Sequence, residues 1–388
     1  MQHVYGIEGN GAKFTSTATS LAGEVLGRHA ADVDARGRFP DESVAALAKQ
    51  RFLGLCVPKT LGGAGEGPRT FAAVVEELAM GCGSTAMVYV MHVSAAQAIA
   101  SSSTLTERDS VLRQIAAGDH LTTLALSEKG SRSQFWAPVS KLAEKDGAYV
   151  TSAQKSWVTS AHQADSYVSS AQKPGAASPL ESTVYLLRRK NGNVRITGSF
   201  EGLGLRGNDS APVAIENLIV SKGDLISPLG DGAKTMLEVI LPWFNIGTAA
   251  MANGLCRAAV AATAQHLQDA GFEHTGTKLR DLPNLRSRLA EMSVRTEQAR
   301  ALLGYTLGEM EHLSETTPLF VLQTRLASLE AAIEVTDLAM KACGGAAFSK
   351  QLGVERIFRD ARAGWVMAPT ADHLSDFIGK ALTGLPLF

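Results

Sequence analysis

The chain has 388 residues, 45% of them apolar, and its 37 basic and 38 acidic residues give a formal net charge of −1. This near balance argues against a nucleic-acid-binding protein, which usually carries a basic face. The length suits two or three domains packed together. The four cysteines, which are widely separated and form no CxxC pair, predict no metal site and fit a reducing, cytoplasmic setting. Residues 1–14 lack the apolar run of a signal peptide.

Residues 1–120 are predicted to form an N-terminal helical domain. Apolar residues recur at helical spacing in residues 16–35, 71–79 and 87–101. Within the apolar run at residues 86–100 we interpret His92 as a core histidine. That run and residues 236–262 are broken by polar side chains, so both are predicted to be buried helices, with no membrane span.

Residues 121–231 are predicted to form a middle β-domain, and residues 232–388 a C-terminal helical bundle. Short β-like runs separated by turn residues fill the middle part, at 121–126, 141–144, 148–154, 166–170, 182–188 and 213–220. Helical spacing then returns in three long segments and a terminal one, at 236–270, 282–314, 317–342 and 372–382. The fold class expected is therefore α+β: a helical domain, a β-barrel or sandwich, and a four-helix bundle.

Five short motifs lie along this framework. They are 126–133 (LSEKGSRS), 154–160 (QKSWVTS), 204–210 (GLRGNDS), 343–345 (CGG) and 359–362 (RDAR). Their order and spacing resemble those of the acyl-CoA dehydrogenase family, over a stretch from about residue 39 to residue 380. The resemblance implies a flavoenzyme that binds FAD and oxidises an acyl thioester at Cα–Cβ. Within the last motif, we interpret Arg359 and Asp360 as a buried ion pair.

The first two motifs are those that the resemblance places at the flavin ring. It implies that Ser127, following Leu126, meets the pyrimidine edge, that Trp157 packs beside the isoalloxazine and that Thr159 lies near N5. Ser133 matches the serine that meets the acyl-thioester tail. An aromatic wall and donors aimed at the electron-accepting edge are what a reactive flavin requires.

The remaining cofactor positions lie late in the chain. The resemblance implies that Gly344 and Gly345 let a neighbouring subunit's backbone approach the FAD, and that Thr370 lies beside the diphosphate. Many family members also grip the diphosphate with an Arg…Phe-Gly…Gln pattern. In the matching residues 271–283 only the glycine, Gly276, is kept, so the grip is expected to differ.

The usual catalytic base is missing. The family's glutamate removes the α-proton, and Ala368 occupies its position here, where a methyl group cannot accept a proton. At the alternative position on an earlier helix stands Phe244, followed by Asn245 where an arginine is common. Asp372 and His373 remain as candidate bases, although Asp372 is also predicted to be the N-cap of the terminal helix.

Three functions are compatible with these residues. The first is Cα–Cβ oxidation of an acyl-CoA or acyl-carrier-protein thioester with a displaced base, using electron-transfer flavoprotein or O₂ as electron acceptor. The second is a flavin-dependent monooxygenase of the same fold, which needs no α-proton base. The third is a non-redox descendant that binds acyl thioesters or acts as a scaffold. The resemblance also implies a homodimer or homotetramer.

Overall fold

The first part of the protein is helical. The computed structural model describes residues 3–387. A π-helical turn at Ala22–Leu26 joins α1 to α2, and α5 is buried on nearly all sides. Burial on all sides explains why the apolar residues of α5 show no single face. The helices are α1 (Gly9–Leu21), α2 (Gly27–Arg36), α3 (Asp41–Lys49), α4 (Pro68–Gly81), α5 (Gly83–Ser101) and α6 (Arg108–Ala117).

Two small sheets follow. The three-stranded sheet has the order β1-β4-β5, with β1 parallel to β4, and the four-stranded antiparallel sheet has the order β2-β3-β7-β6. A shared core that includes Tyr149, Tyr167 and Tyr185 fills the space beside them. The strands are β1 (Thr122–Ala125), β2 (Ala143–Lys145), β3 (Ala148–Val158), β4 (Ser166–Gln172), β5 (Ser182–Arg188), β6 (Val194–Ile196) and β7 (Ala211–Val220).

The last part of the chain is a helical bundle. Helix α10 packs against α8, α9 and α14, and a proline in the first turn begins each of α9 and α10. The predicted α+β fold class is confirmed. The helices are α7 (Gly232–Lys234), α8 (Leu241–Asp269), α9 (Pro283–Glu311), α10 (Thr317–Cys343), α11 (Gly345–Phe348), α12 (Val354–Ala361), α13 (Ala363–Val366) and α14 (Ala371–Thr383).

One helical stretch within residues 3–387, Gly232–Asp269, is long and apolar enough to cross a membrane by length and composition alone. In the fold, 78% of its most apolar window is buried. It thus forms a central helix of the bundle, as expected for residues 236–262.

His92 is a satisfied core residue, as predicted. It is fully buried on α5, where Nδ1 accepts from the N–H of Thr122 at 3.1 Å and Nε2 lies 3.0 Å from the carbonyl oxygen of Leu53. These contacts assign the proton to Nε2. Burial lowers the pKa of His92 to about 4, so the ring is neutral and joins the helical part to the first strand.

The predicted pair of Arg359 with Asp360 is wrong. Arg359 donates to Asp34 at 2.8 Å and to Glu355 at 2.7 Å, whereas the buried Asp360 accepts the N–H of Leu205 at 2.6 Å. Burial raises the pKa of Asp360 to about 7. Adjacent residues on a helix point in different directions, and here they anchor two different parts of the molecule.

Candidate functional site

An irregularity in β3 presents Trp157 at the surface. The pairing of β3 with β7 shifts register between Lys155 and Val158. Trp157 adopts a left-handed backbone with φ of 57°, and its side chain is 67% exposed. Its ring lies edge-on to that of Phe200, with centroids 6.2 Å apart. Bulges redirect side chains, and backbone strain concentrates at functional sites, so the indole is available to a ligand.

Ser127 lies beside this bulge. The N–H of Ser156 donates to the carbonyl oxygen of Ser127, and the N–H of Lys129 to that of Gln154, both at 2.9 Å. Leu126 is buried and Ser127 half-buried. Ser127 and Trp157 are distant in sequence. These two main-chain hydrogen bonds place Ser127 opposite Ser156, the residue next to Trp157.

Thr159 connects the end of β3 to the motif at residues 204–210. Its side chain is 3% exposed, and its hydroxyl oxygen lies 3.1 Å from that of Ser210. The next residue, Ser160, donates its N–H to the carbonyl oxygen of Asn208 at 2.9 Å. The second and third motifs thus pack against each other, although 51 residues separate Thr159 from Ser210.

A buried ion pair that sequence reasoning missed holds the first two motifs together. The ammonium of Lys155 lies 2.6 Å from a carboxylate oxygen of Glu128, and both side chains are almost fully buried. The second carboxylate oxygen accepts the N–H groups of Val139 and Ser140, each at 2.7 Å. Burial opposes ionisation of Glu128, but Lys155 and these donors outweigh it and hold the pKa of the carboxyl below its usual value.

The loop after β1 also reaches the terminal helix. Ser133 lies half-buried in this loop, and the buried Trp136 follows it. The ring of Trp136 lies 6.4 Å from that of His373 and 5.6 Å from that of Phe377, both on α14. Trp136, to which the sequence assigned no role, therefore positions the loop that carries Ser133.

Thr370 is the N-cap of α14. Its hydroxyl oxygen accepts the N–H of His373 at 3.4 Å and lies 3.2 Å from Nδ1 of the same residue. Asp372, the predicted N-cap, is instead exposed in the first helical turn. A carboxylate at that position interacts favourably with the helix dipole. The expectation for Asp372 is wrong because α14 begins earlier, at Ala371, so that Thr370 takes the N-cap position and Asp372 falls within the first turn.

The glycine pair lies at an open surface. Gly344 ends α10 with φ of 56°, a conformation that favours glycine, and both Gly344 and Gly345 are exposed. A Cβ atom added to either would meet nothing within 4 Å among the described residues. Residues 271–283, which match the family's diphosphate grip but keep only its glycine, lie in the turn between α8 and α9. There Gly276 has φ of 68° and Phe272 is 41% exposed.

An arginine lies between the two positions at which the family's base is expected. Ala368 is half-buried and Phe244 buried. The fully buried Arg325 of α10 donates to the amide oxygen of Asn245 at 2.9 Å and to the carbonyl oxygen of Met367 at 3.0 Å, and it lies 4.8 Å above the Phe244 ring. Burial lowers the pKa of Arg325 to about 9, so it is charged at neutral pH. In the sequence, the burial of Arg325 was indicated only by its helical spacing from Val321 and Ser328, which are both buried on α10.

Comparison with known proteins identifies the family. Models of the acyl-CoA dehydrogenase N-terminal, middle and C-terminal domains match residues 11–119, 123–218 and 230–383. The chain belongs to the acyl-CoA dehydrogenase family. The short-chain specific acyl-CoA dehydrogenase of Bos taurus mitochondria is 26% identical over 347 residues, covering 89% of this chain and 83% of the relative.

Solved structures of family members share the fold. Butyryl-CoA dehydrogenase from Megasphaera elsdenii superposes with a TM-score of 0.91 at 20% identity, over 97% of this chain and 99% of the other. The prolyl acyl carrier protein oxidase AnaB gives 0.88 at 18% identity, over 97% and 99%. Both similarities extend over all three parts of the molecule.

Acyl-CoA dehydrogenases bind FAD, and the residues present here fit it. Trp157 is a large aromatic side chain left 67% exposed, where a ring could cover it. The half-buried Ser127 lies next to it, and Gly344 offers backbone with open space around it. Exposed aromatic surface with polar groups converging on it is typical of cofactor sites.

Proposed function

We propose that this protein is an FAD-dependent oxidoreductase that oxidises an acyl thioester at Cα–Cβ. The observation that carries the proposal is the exposed, backbone-strained Trp157, next to Ser156, whose N–H donates to Ser127, and two residues before Thr159. Three motif residues that could each be explained separately as core or turn residues instead lie together around the end of β3, with Trp157 exposed, Ser127 half-buried and Thr159 buried.

The chain's own residues have distinct tasks in this proposal. Bound FAD supplies the hydride acceptor. Trp157 covers the ring and excludes water, Leu126 and Ser127 present main-chain and hydroxyl groups at its edge, and Thr159 offers a hydroxyl steadied by Ser210. A developing negative charge is best stabilised by donors fixed in advance, and the buried Glu128–Lys155 pair fixes this loop.

The proton acceptor must differ from the family's usual glutamate. Asp372 and His373 remain the candidates that we propose for it. Asp372 is exposed, whereas His373 is half-buried beside Trp136 and the Thr370 hydroxyl. Replacing each in turn, by Asp372→Asn and His373→Gln, tests them: loss of flavin reduction with retained FAD identifies the base, and full activity of both variants excludes the pair.

The partners follow from the family and from the names of relatives. We propose a CoA or carrier-protein thioester as substrate, since one relative is named as an acyl-CoA dehydrogenase and a structural neighbour as an acyl carrier protein oxidase. Electron-transfer flavoprotein or O₂ would reoxidise the flavin. A cytoplasmic homodimer or homotetramer completes the proposal.

Purification under non-denaturing conditions tests the function directly. A yellow protein with stoichiometric FAD, bleached by a short acyl-CoA in the absence of oxygen, is the expected result. A colourless protein that binds no added FAD contradicts the proposal and favours a non-redox, thioester-binding descendant.

A second function, flavin-dependent monooxygenation, is favoured by the side chains at the two base positions. Ala368 and Phe244 cannot accept a proton, and oxygen insertion needs no α-proton base. Incorporation of ¹⁸O from labelled O₂ into a product, together with no bleaching by any acyl-CoA, would favour this second function.

A further inference from the structure

Arg325 is a buried cation without an acidic partner among residues 3–387. It is 0% exposed, and two of its nitrogens donate to neutral oxygens while Nε has no acceptor. The other deeply placed arginines differ: Arg257 and Arg300 both pair with Glu76, and Arg359 pairs with Asp34. A buried charge without a counter-ion costs several kcal/mol, so Arg325 lowers the stability of the fold unless a further group compensates its charge.

Further buried donors without a partner belong to Asn245, which contacts the guanidinium, and to α10 itself. Because arginine only donates, the Asn245 atom facing it is the amide oxygen, and the amide nitrogen is left buried without an acceptor. The buried hydroxyls of Thr324 and Ser328, on the same stretch of α10, also have no partner. The cluster therefore has a positive charge and spare donors but no anionic acceptor.

The location of this cluster connects it with the reaction. The hydrogen bond to the Met367 carbonyl places Arg325 next to Ala368, and its guanidinium covers the ring of Phe244. Those are the two positions at which the family's base approaches the acyl chain. Met367 and Ala368 are half-buried, so Arg325 lies one layer beneath the surface.

We propose that Arg325 and Asn245 bind a carboxylate carried by the acyl group, so that the substrate is a thioester of a short dicarboxylic acid. The inference rests on the proposed function and names its substrate class. A carboxylate supplies the missing negative charge and two acceptor oxygens, which match the planar fork of a guanidinium. Capping of the Met367 carbonyl alone would use one N–H group and leave the charge uncompensated.

The test compares two thioesters of similar shape on the FAD-loaded protein. Succinyl-CoA carries a terminal carboxylate, and in 4-methylpentanoyl-CoA an isopropyl group replaces it. Anaerobic titration followed by the flavin absorbance gives a Kd for each. Succinyl-CoA is expected to bind at least about tenfold more tightly, a difference of about 1.4 kcal/mol. The advantage should vanish in Arg325→Met, persist in part in Arg325→Lys, and remain intact in the control Arg295→Met, an exposed arginine of α9.

Equal affinities in the unmodified protein would overturn the inference, and that comparison needs no variant to fold. An unchanged ratio in Arg325→Met would overturn it as well. So would thermal stabilisation by free succinate or chloride equal to that by succinyl-CoA, which would indicate a structural anion site. Tight binding of the neutral thioester alone refutes the inference and leaves the proposed function standing, whereas no flavin response to either thioester refutes both.

Discussion

At position 368 the chain has the methyl side chain of alanine, where the resemblance to the family predicts a glutamate. The half-buried Ala368 follows Met367, whose carbonyl oxygen accepts from Arg325. A carboxylate introduced there would lie close to a guanidinium, which favours its ionised form. A glutamate at position 368 is therefore expected to be ionised and able to accept a proton.

Ala368→Glu is expected to raise the rate of anaerobic flavin reduction by neutral acyl-CoA substrates such as butyryl-CoA. General-base catalysis contributes about 10²–10⁴-fold to rate, so even an imperfectly placed carboxylate should be measurable by stopped-flow absorbance. Ala368→Gln, of the same shape but unable to accept a proton, is the matched control. Identical rates in the Glu and Gln variants would contradict the argument.

His92 is expected to make stability depend on pH. Its pKa of about 4 in the folded protein lies below the value of 6.5 for the free side chain. As the pH falls below about 6.5, His92 therefore becomes protonated in the unfolded chain but stays neutral in the folded protein. The free energy of unfolding then decreases by up to about 1.4 kcal/mol per pH unit.

The variant His92→Gln tests this dependence. It keeps a donor and an acceptor but cannot titrate, so it should be less stable than the parent near pH 8, with the difference narrowing as the pH falls toward about 4. Urea denaturation across this range measures the difference. His120, whose pKa burial also lowers to about 4, is common to both proteins and cancels. A constant difference would show that His92 does not titrate as described.

At the scale of elements, the site depends on the attachment of one loop to one strand. Residues 126–140 contain Ser127 and Ser133, and the Glu128–Lys155 pair joins this loop to β3 just before the Trp157 bulge. Removing one member of a buried pair leaves the other charged and without compensation. A substitution in this pair should therefore change both the positions of Ser127 and Trp157 and the stability of the sheet.

Lys155→Met is expected to destabilise the protein by about 3–5 kcal/mol and to weaken FAD binding. The double variant Glu128→Gln/Lys155→Met should recover part of the stability, because no charge is then stranded. Denaturant unfolding and FAD titration measure the two effects. If the double variant is as unstable as the sum of the two single variants, the two residues do not act as a pair.

Over the whole molecule, three of the exposed apolar side chains lie on two short helices after α10. Phe348 is 86% exposed, Val366 76% and Trp365 46%. Phe348 lies on α11, three residues after Gly345 of the open glycine pair. Large apolar side chains left at a surface often mark an interface, which supports the proposed homo-oligomer.

Phe348→Asp is therefore expected to lower the oligomer mass measured by light scattering, because burying a charge at an apolar interface is unfavourable. Ile219→Asp, at a side chain of β7 that is 65% exposed, is the control and should leave the mass unchanged. A retained oligomer in the Phe348 variant would place the interface elsewhere.

The sequence by itself determined the family and the fold class, because periodicity and short motifs are local properties. It also predicted that Ala368 stands at the position of the family's usual base, and that Ser127, Trp157 and Thr159 act as one set. Each of these conclusions depends only on consecutive residues or on a motif of a few positions.

Only the tertiary structure decided which side chains face one another. Arg325 meets Asn245 across 80 residues of chain, and Arg359 meets Asp34 across 325. Local spacing suggested the wrong partner for Arg359 and gave Arg325 no role. Ion-pair partners and orphaned donors are set by how helices pack, and the energy of a buried charge depends on everything around it.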